Sequence, residues 1–251
     1  MNPLLHYDPD DPYPESDGQP MADNTEQYDW IVKIKENLEI LFADRADVFI
    51  AGDLLWYPVP DRRVTGPIAP DVLVALGRPK GRRGSYKQWE EDDQAPQVVF
   101  EILSPSNSAQ EMAGKRDFYD QYGVQEYYVY DPEHNRFEIW LRQGDHLQAM
   151  PHIKGWRSPL LGIRFELKPD TLAIYYPDGR PFSSPVELAQ LVEQASIRAE
   201  QEAARAEQEA ARAEQEHQRA QQAQEQLTEE RRQVQLLTER LRALGINPED
   251  Q

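Results

Sequence analysis

Residues 96–132 read PQVVFEILSPSNSAQEMAGKRDFYDQYGVQEYYVYDP and carry the clearest secondary-structure signals in the chain. The apolar run from Val98 to Leu103 is typical of a buried strand. The cap-forming residues Ser106–Ser108 come next and introduce a predicted helix over Ala109–Tyr122. A second apolar run, Glu126–Tyr130, predicts another strand. We therefore expect a strand, a helix and a strand in direct succession.

Further helices and strands flank this stretch. Upstream, apolar residues recur every three or four positions and predict a helix over about 25–43. The other predicted strands are short and separated by Pro, Gly or charged turns, and they lie at Val48–Tyr57, Ile68–Leu76, 136–142, 145–150, 163–167 and 171–176. This order, an αβββαβ core followed by further strands, indicates an α/β fold with a mixed sheet.

The C-terminal part of the chain is a heptad repeat. RAEQEAA begins at Arg198 and again at Arg205, and a variant copy begins at Arg212. A hydrophobic column at seven-residue spacing predicts a left-handed coiled coil, and it contains Ala199, Ala206, Ala213, Ala220, Leu227, Val234 and Leu241. The alanine part suits a solvated single helix, whereas Leu227–Leu244 could bind a partner helix. The sequence leaves open a homo-oligomer, formed through this repeat or through the folded domain, and a monomer.

Composition divides the chain into four segments. Residues 1–22 are acidic and rich in proline, which predicts a disordered tail. We place a globular domain at 23–182, the helical heptad segment at 183–246 and a short tail at 247–251. No stretch is apolar enough to cross a membrane, and the N-terminus lacks the features of a signal peptide. We expect a cytoplasmic protein without a membrane partner.

Charge and cysteine content exclude several classes of function. The 251 residues include 27 Lys and Arg and 45 Asp and Glu, which gives a net charge of −18. A globally basic surface is therefore absent, and any contact with nucleic acid must use a local patch. Because there is no cysteine, a disulfide scaffold, a thiolate metal site and a cysteine nucleophile are excluded. The five histidines show no metal-ligand spacing, which argues against a zinc site.

Two acidic residues lie in otherwise apolar runs. Asp71 belongs to GPIAPDVLVAL, and Glu101 belongs to PQVVFEILSPSN. Burial of an unpartnered carboxylate is costly, so some compensation is expected. Each acid alone could reach solvent at the end of a strand or cap a backbone group. Together, two carboxylates and a backbone carbonyl form a hard-oxygen site that suits Mg²⁺.

Lys115 is the candidate that would complete such a site. It lies on the helix that directly follows the Glu101 strand, with Glu111 one turn earlier and Tyr119 one turn later on the same face. A lysine here could orient an attacking water or stabilise charge on a phosphate. From spacing alone, an ordinary surface pair between Lys115 and Glu111 is the more common arrangement.

A cationic loop, RPKGRRGSYK, follows the Asp71 strand. It contains two glycines, no acid and five basic residues, which are Arg78, Lys80, Arg82, Arg83 and Lys87. Such a loop beside a metal site could neutralise a nucleic-acid backbone. Alternatively, the loop is solvated and its charges balance the nearby acids at positions 90–93.

The chain resembles the Uma-type putative endonuclease family, which belongs to the PD-(D/E)XK restriction-endonuclease-like superfamily. The likeness lies in the strings APDVLVAL, PQVVFEILSPSN and EMAGKRDFYDQYGVQEYYVYDP. The DNTEQYDW helix and the DLLWY strand also resemble this family, so the likeness covers roughly residues 23–176. It implies a restriction-endonuclease-like core and a metal-dependent endonuclease that hydrolyses phosphodiester bonds, with DNA as the expected substrate. The N-terminal helix of the superfamily often supplies another acid, for which Glu26 is the nearest candidate.

The resemblance also implies a role for each site residue. Asp71 would be the acid of the Pro-Asp element and Glu101 the second acid, both binding Mg²⁺ or Mn²⁺. The carbonyl of Ile102 would be a third ligand. The superfamily's lysine usually lies two residues after the second acid, where this chain has Leu103. In the family that this chain resembles, the lysine has moved to the following helix, which gives Lys115.

A second interpretation belongs to a different functional class. The chain could be a catalytically inactive nuclease-like module that binds DNA or a protein partner and oligomerises through its coiled coil. The leucine at the usual lysine position and the low overall basicity favour it. The discriminating feature is the position of Lys115. If its amine lay well beyond hydrogen-bond reach of both carboxylates, the catalytic interpretation would weaken.

Overall fold

The computed structural model describes residues 13–151 and 154–243. Two compact units are present, of which the first ends at Leu188 and the second begins at Ala189. The predicted tail at 247–251, the end of the predicted heptad segment and the first twelve residues of the predicted acidic tail lie outside the described residues. No helix in the described ranges is long and apolar enough to span a membrane.

The first unit combines helices with short strands. Within the described residues its helices are α1 (Thr25–Leu41) and α2 (Ala109–Gln121), with a 3₁₀ turn at Gln88–Glu90. Its strands are β1 (Val48–Gly52), β2 (Trp56–Tyr57), β3 (Val72–Leu76), β4 (Tyr86–Lys87), β5 (Val98–Ile102), β6 (Glu126–Asp131), β7 (Arg136–Gln143), β8 (His146–Ala149), β9 (Arg164–Leu167) and β10 (Leu172–Tyr175). The predicted mixed α/β fold is confirmed.

The central sheet has the strand order β1-β3-β5-β6-β7-β8. Strands β5 and β6 are parallel and are connected through α2, whereas the other neighbouring pairs are antiparallel. A parallel pair needs such a crossover, and a helix is the usual one. Two smaller pairs lie outside this sheet, β9 with β10 and β2 with β4.

Apolar residues on the two faces of the sheet form separate cores. On one face, α1 and the β9–β10 pair cover residues such as Phe100, which meets Phe165. On the other face, α2 and the short β2–β4 pair cover residues such as Val99, near Tyr119. Because side chains alternate along a strand, Glu101 shares the α2 face with Val99. This alternation places an acid of β5 beneath α2.

Local signals set the ends of the helices. The side chain of Asn24 accepts a hydrogen bond from Gln27 N and caps α1, and Ser108 accepts one from Glu111 N and caps α2. After α2, Gly123 takes a φ of +97°, the left-handed conformation that favours glycine after a helix. Helix α2 therefore begins directly after the cap-forming residues that the sequence predicts, and α1 begins at the predicted position.

The strands differ from the prediction in the region before β5. The single predicted strand Val48–Tyr57 divides into β1 and β2, because Asp53 takes a φ of +48° and turns the chain. The predicted strand Ile68–Leu76 begins only at Val72, while Ile68 forms an isolated bridge with Trp56. Strand β4 was missed in the sequence, because two residues inside a charged loop give no periodic signal.

A long helix, α3 (Pro185–Ala243), continues into the second unit. It begins with a capping box, in which Ser184 N donates to Glu187 Oε2 at 2.7 Å and Glu187 N donates to Ser184 Oγ at 3.3 Å. Proline at the first helical position suits this start. The predicted helix is confirmed, whereas the coiled-coil partner stays a prediction.

Candidate functional site

Asp71 and Glu101 meet at the edge of the α2-side core. The β3–β5 register pairs Val72 with Phe100, so one further step places Asp71 opposite Glu101. Asp71 is 8% exposed and Glu101 is 2% exposed. Ile102 N donates to Asp71 Oδ2 at 2.6 Å. Burial and the charge of Glu101 raise the pKa of Asp71 to about 8.

Lys115 reaches this pair from α2. Its Nζ lies 2.8 Å from Glu101 Oε2. Burial alone would lower the pKa of Lys115, but the charges of Glu101 and Asp71 outweigh it and raise the pKa. Glu111 accepts a hydrogen bond from Asn107 Nδ2 at 3.3 Å. The lysine is therefore paired with the strand acid, within hydrogen-bond reach.

Tyr119 binds the other oxygen of Glu101. Its hydroxyl donates to Glu101 Oε1 at 2.5 Å, and burial together with the charge of Glu101 raises its pKa well above the usual value. The ring is fully buried and contacts Trp56 and Tyr127. Since Lys115 and Tyr119 are four residues apart on α2, one face of this helix engages both oxygens of the acid. Sequence reasoning noted this spacing but assigned Tyr119 no role.

The carbonyl of Ile102 is engaged by α1. Gln27 Nε2 donates to Ile102 O at 2.9 Å, and Gln27 is buried. Glu26, the acid predicted from this helix, is exposed. Neighbouring helical residues point about 100° apart, so a shift of one position replaces the expected acid with an amide. Gln27 shares the inward face of α1 with Ile31 and Ile34, which is the signal that could have identified it.

Asp53 is a further acid near the pair and was missed in the sequence. It follows β1, and its backbone N–H donates to Asp71 O at 3.2 Å. Desolvation, with a contribution from the charge of Asp17, raises the pKa of Asp53 to about 6. Its negative charge in turn raises the pKa of Asp71. Its place in DLLWY is the one sequence signal that pointed to it.

The donor set fits a hard divalent cation. Asp71 and Glu101 supply carboxylate oxygens and Ile102 supplies a carbonyl, which are ligands typical of Mg²⁺ and Mn²⁺. Two buried carboxylates beside one lysine leave excess negative charge, as the raised pKa of Asp71 reflects. Among the described residues, no three His, Cys, Asp or Glu side chains are close enough to hold a metal by themselves. Water and a substrate phosphate would therefore complete the coordination shell, as Mg²⁺ commonly requires.

The cationic loop is largely engaged within the chain. Arg82 is exposed and forms no ion pair with any residue in the described ranges. The other four cations each contact an acid, and the nitrogen–oxygen distances are 2.6 Å for Arg78–Asp92, 3.4 Å for Lys80–Glu39, 3.1 Å for Arg83–Glu91 and 3.6 Å for Lys87–Glu90. Three of these four acids belong to the run at 90–93 that the alternative interpretation named. A role of the loop in nucleic-acid binding stays a prediction.

The model of the Uma2 family, described as "Putative restriction endonuclease", matches residues 18–174. One solved structure similar to this chain is described as a putative nuclease belonging to DUF820 from Anabaena variabilis ATCC 29413. It has a TM-score of 0.41 and 13% sequence identity, and the alignment covers 54% of this chain and 72% of that chain. No curated protein matches.

Proposed function

Because this chain belongs to the Uma2 family of putative restriction endonucleases, we propose that it is a metal-dependent endonuclease that hydrolyses phosphodiester bonds of DNA. The observation that carries the proposal is the distance of 2.8 Å between Lys115 Nζ and Glu101 Oε2, beside the buried carboxyl of Asp71. An acid pair with an adjacent cation is the arrangement expected where a phosphate must be bound and its charge stabilised.

Three groups would hold the cation: the carboxylates of Asp71 and Glu101 and the carbonyl of Ile102. Ile102 N already fixes Asp71 through Oδ2, and Tyr119 fixes Glu101 through Oε1. These bonds hold the two carboxylates in place before any substrate arrives. A divalent cation in such a site supplies Lewis acidity, which activates water and polarises the phosphate.

Lys115 would act on the charge of the reacting phosphate. Its ammonium carries three donors and uses one on Glu101. The others could donate to phosphate oxygens, on which negative charge increases as water attacks in line with the leaving hydroxyl. The carboxylates that surround Lys115 keep it protonated, since they raise its pKa.

Cleavage of supercoiled plasmid with Mg²⁺ or Mn²⁺ tests the proposal. We expect nicking by the wild type that is abolished by chelator and by Asp71→Asn or Glu101→Gln, each of which keeps the shape of the side chain but removes a charge. The matched control is Glu111→Gln on α2, which removes a charge near Lys115 without touching the acid pair. Equal nicking by Glu101→Gln and wild type would refute the assignment.

A second candidate is a nuclease-like module that binds without cleaving. The observation that favours it is that Glu101 and the Ile102 carbonyl already have partners within the chain, namely Lys115, Tyr119 and Gln27. Such a module would bind duplex DNA but nick no plasmid under any metal condition. Calorimetric titration with Mn²⁺ separates the two candidates further, because only the enzyme requires a cation at the acid pair.

For the second unit we propose self-association through the leucine-rich end of the heptad repeat. The large apolar side chains of Leu227, Val234 and Leu241, which belong to the seven-residue column, are exposed. Leu237 is also exposed and belongs to the same seam, because it lies three residues after Val234 on the same face of the helix. Burial of these side chains against a partner helix would be favourable. Sedimentation equilibrium of the full chain tests this: Leu237→Gln should lower the measured mass toward one chain. The matched control is Leu236→Gln, next in sequence but outside the seam. If both variants keep the wild-type mass above that of one chain, association occurs elsewhere.

A further inference from the structure

The segment Tyr13–Asp23, which we call the acidic segment, lies against the surface around the acid pair. It contains Glu15, Asp17 and Asp23 and has neither Lys nor Arg. Although it forms no helix or strand, it makes specific contacts with three separate parts of the first unit. Composition alone predicts a disordered tail here, so these contacts need another explanation.

The first contact anchors the start of the segment through aromatic rings. Tyr57 donates from its hydroxyl to Pro14 O at 2.8 Å. The ring of Tyr13 lies 5.4 Å from that of Tyr57 and 5.1 Å from that of Trp89. Lys87 Nζ, a member of the cationic loop, lies 5.3 Å from the Tyr13 ring. The segment therefore begins over the end of the cationic loop.

The second contact brings acids of the segment to the loop and toward the acid pair. Glu15 packs so closely on Gly84 that a methyl group at Gly84 would overlap its carboxylate. Asp17 is near enough to Asp53 for its charge to raise the pKa of Asp53. Asp53 in turn interacts with Glu101 and Lys115. The middle of the segment thus meets the cationic loop through Glu15 and acts electrostatically on Asp53 through Asp17.

The third contact fixes the end of the segment to the turn between β5 and α2. Asp23 Oδ2 accepts a hydrogen bond from Ser104 Oγ at 2.6 Å and another from Ser106 Oγ. Asp23 N donates to Gln27 Oε1 at 2.9 Å. The bonds from Ser104 and Ser106 lower the pKa of Asp23, and the charge of Lys115 adds to this effect. The carboxylate of Asp23 therefore accepts hydrogen bonds from two serine hydroxyls in the turn between β5, which carries Glu101, and α2, which carries Lys115.

These partners are groups that bind phosphate oxygens in nucleic-acid complexes: serine hydroxyls, a lysine and glycine-rich backbone. We propose that the surface formed by Gly84, Lys87, Ser104 and Ser106, which the acidic segment contacts, is the docking surface for a nucleic-acid backbone. The acidic segment occupies this surface until nucleic acid displaces it. This inference rests on the proposed function and extends it to the substrate-binding surface. The carboxylate of Asp23, which accepts hydrogen bonds from the hydroxyls of Ser104 and Ser106, takes the place that a phosphate would take.

Charge makes this occupancy reversible. The negative charge of Asp17, in the middle of the segment, acts on Asp53, and like charges repel each other. The ends of the segment are held by short hydrogen bonds and ring contacts, whereas the middle is electrostatically unfavourable. The segment and nucleic acid would therefore exchange on one surface.

The first test measures binding of a fluorescein-labelled duplex DNA by anisotropy, in chelator to prevent cleavage. The full chain with Glu15→Gln, Asp17→Asn and Asp23→Asn is compared with wild type. If the surface is free of the segment in about one wild-type molecule in ten, the apparent affinity for DNA is about tenfold weaker than that of the free surface. The triple variant, in which the segment no longer competes, should therefore bind DNA about tenfold more tightly than wild type. The matched control is a second triple variant that combines Asp44→Asn, Glu133→Gln and Asp170→Asn. These three acids are exposed and lie elsewhere in the first unit, so the control changes the net charge by the same amount.

The second test follows the segment itself. The chain has no cysteine, so Gln19→Cys provides a single site for a spin label. We expect DNA to increase the mobility of this label and to leave a label at Glu133→Cys unchanged. A label on the segment that stays immobile while DNA is bound overturns the proposal, as does equal affinity of the triple variant and its control.

The outcomes also separate this inference from the proposed function. If wild type and both triple variants fail to bind DNA, the docking surface is overturned. Binding of Mn²⁺ and its loss in Asp71→Asn then decide the metal site independently. If DNA binds and plasmid is nicked but the triple variants behave alike, the nuclease function stands and the role of the acidic segment is refuted.

Discussion

Lys115 Nζ lies 2.8 Å from Glu101 Oε2, which joins α2 to the strand that precedes it. The two residues are fourteen positions apart in sequence, and the turn at 103–108 folds α2 back over the face of the sheet that carries Glu101. The lysine is therefore delivered by the crossover helix, although Leu103 occupies the position two residues after the acid. Tyr119 shares this helix face with Lys115.

Tyr119→Phe should weaken Mn²⁺ binding about tenfold, because partners that orient a metal ligand typically contribute about 10–100-fold to affinity. The substitution removes the hydrogen bond to Glu101 Oε1 and keeps the ring in place. Isothermal titration calorimetry measures the change. Tyr127→Phe is the matched control, since Tyr127 is an equally buried ring in contact with Tyr119. Unchanged affinity in both variants would show that Tyr119 serves packing alone.

Asp71 should make the free energy of unfolding depend on pH. Its pKa is about 8 in the folded chain and about 4 when unfolded, so the folded state binds more protons between these values. Stability contributed by this group is therefore present below about pH 4 and lost as pH rises to about 8. Urea denaturation in chelator should show Asp71→Asn gaining stability over wild type at pH 9 but not at pH 4. Asp44→Asn, an exposed acid, should show no such gain.

Glu126→Gln should destabilise the first unit by about 1–3 kcal/mol, the cost of disturbing buried hydrogen bonds. Its carboxylate accepts bonds from Ser158 Oγ at 2.5 Å, Tyr128 OH at 2.8 Å and Leu160 N at 2.7 Å. An amide cannot accept all three. Urea denaturation measures the loss, with the exposed Glu138→Gln as control. Metal affinity should not change, and a parallel loss of Mn²⁺ binding would contradict this purely structural role.

Arg82→Gln should weaken DNA binding and reduce the slope of log affinity against log salt by about 1, as expected for one lost phosphate contact. Arg82 is the member of the cationic loop without an ion pair in the described part of the chain, so its charge is available. Arg136→Gln, an exposed arginine at the start of β7, is the control. If Arg82→Gln has the same salt dependence as Arg136→Gln and wild type, Arg82 contacts no phosphate.

Much of the site was accessible from the sequence. Asp71 and Glu101 stood out because an acid in an apolar run requires compensation. Lys115 followed from its place on the next helix, and the family resemblance implied the same residue. Asp71 and Glu101 come together because β3 pairs with β5 in a register that places Asp71 opposite Glu101. Gln27 and Asp53 were missed, because an amide on a helix and an acid in a turn have no distinctive pattern until their neighbours are known.

Local sequence determines the helices, the strands from β5 onward and the heptad repeat, because caps, glycines and hydrophobic periodicity act over a few residues. The amino-acid order was therefore sufficient for the mixed α/β class and for the pair of candidate acids. Only the tertiary structure decided three features: the pairing of Lys115 with Glu101, the hydrogen bond from Tyr119 to Glu101, and the contacts of the acidic segment. These contacts join residues distant along the chain, and they depend on strand register and on the path of each connection, which no local pattern specifies.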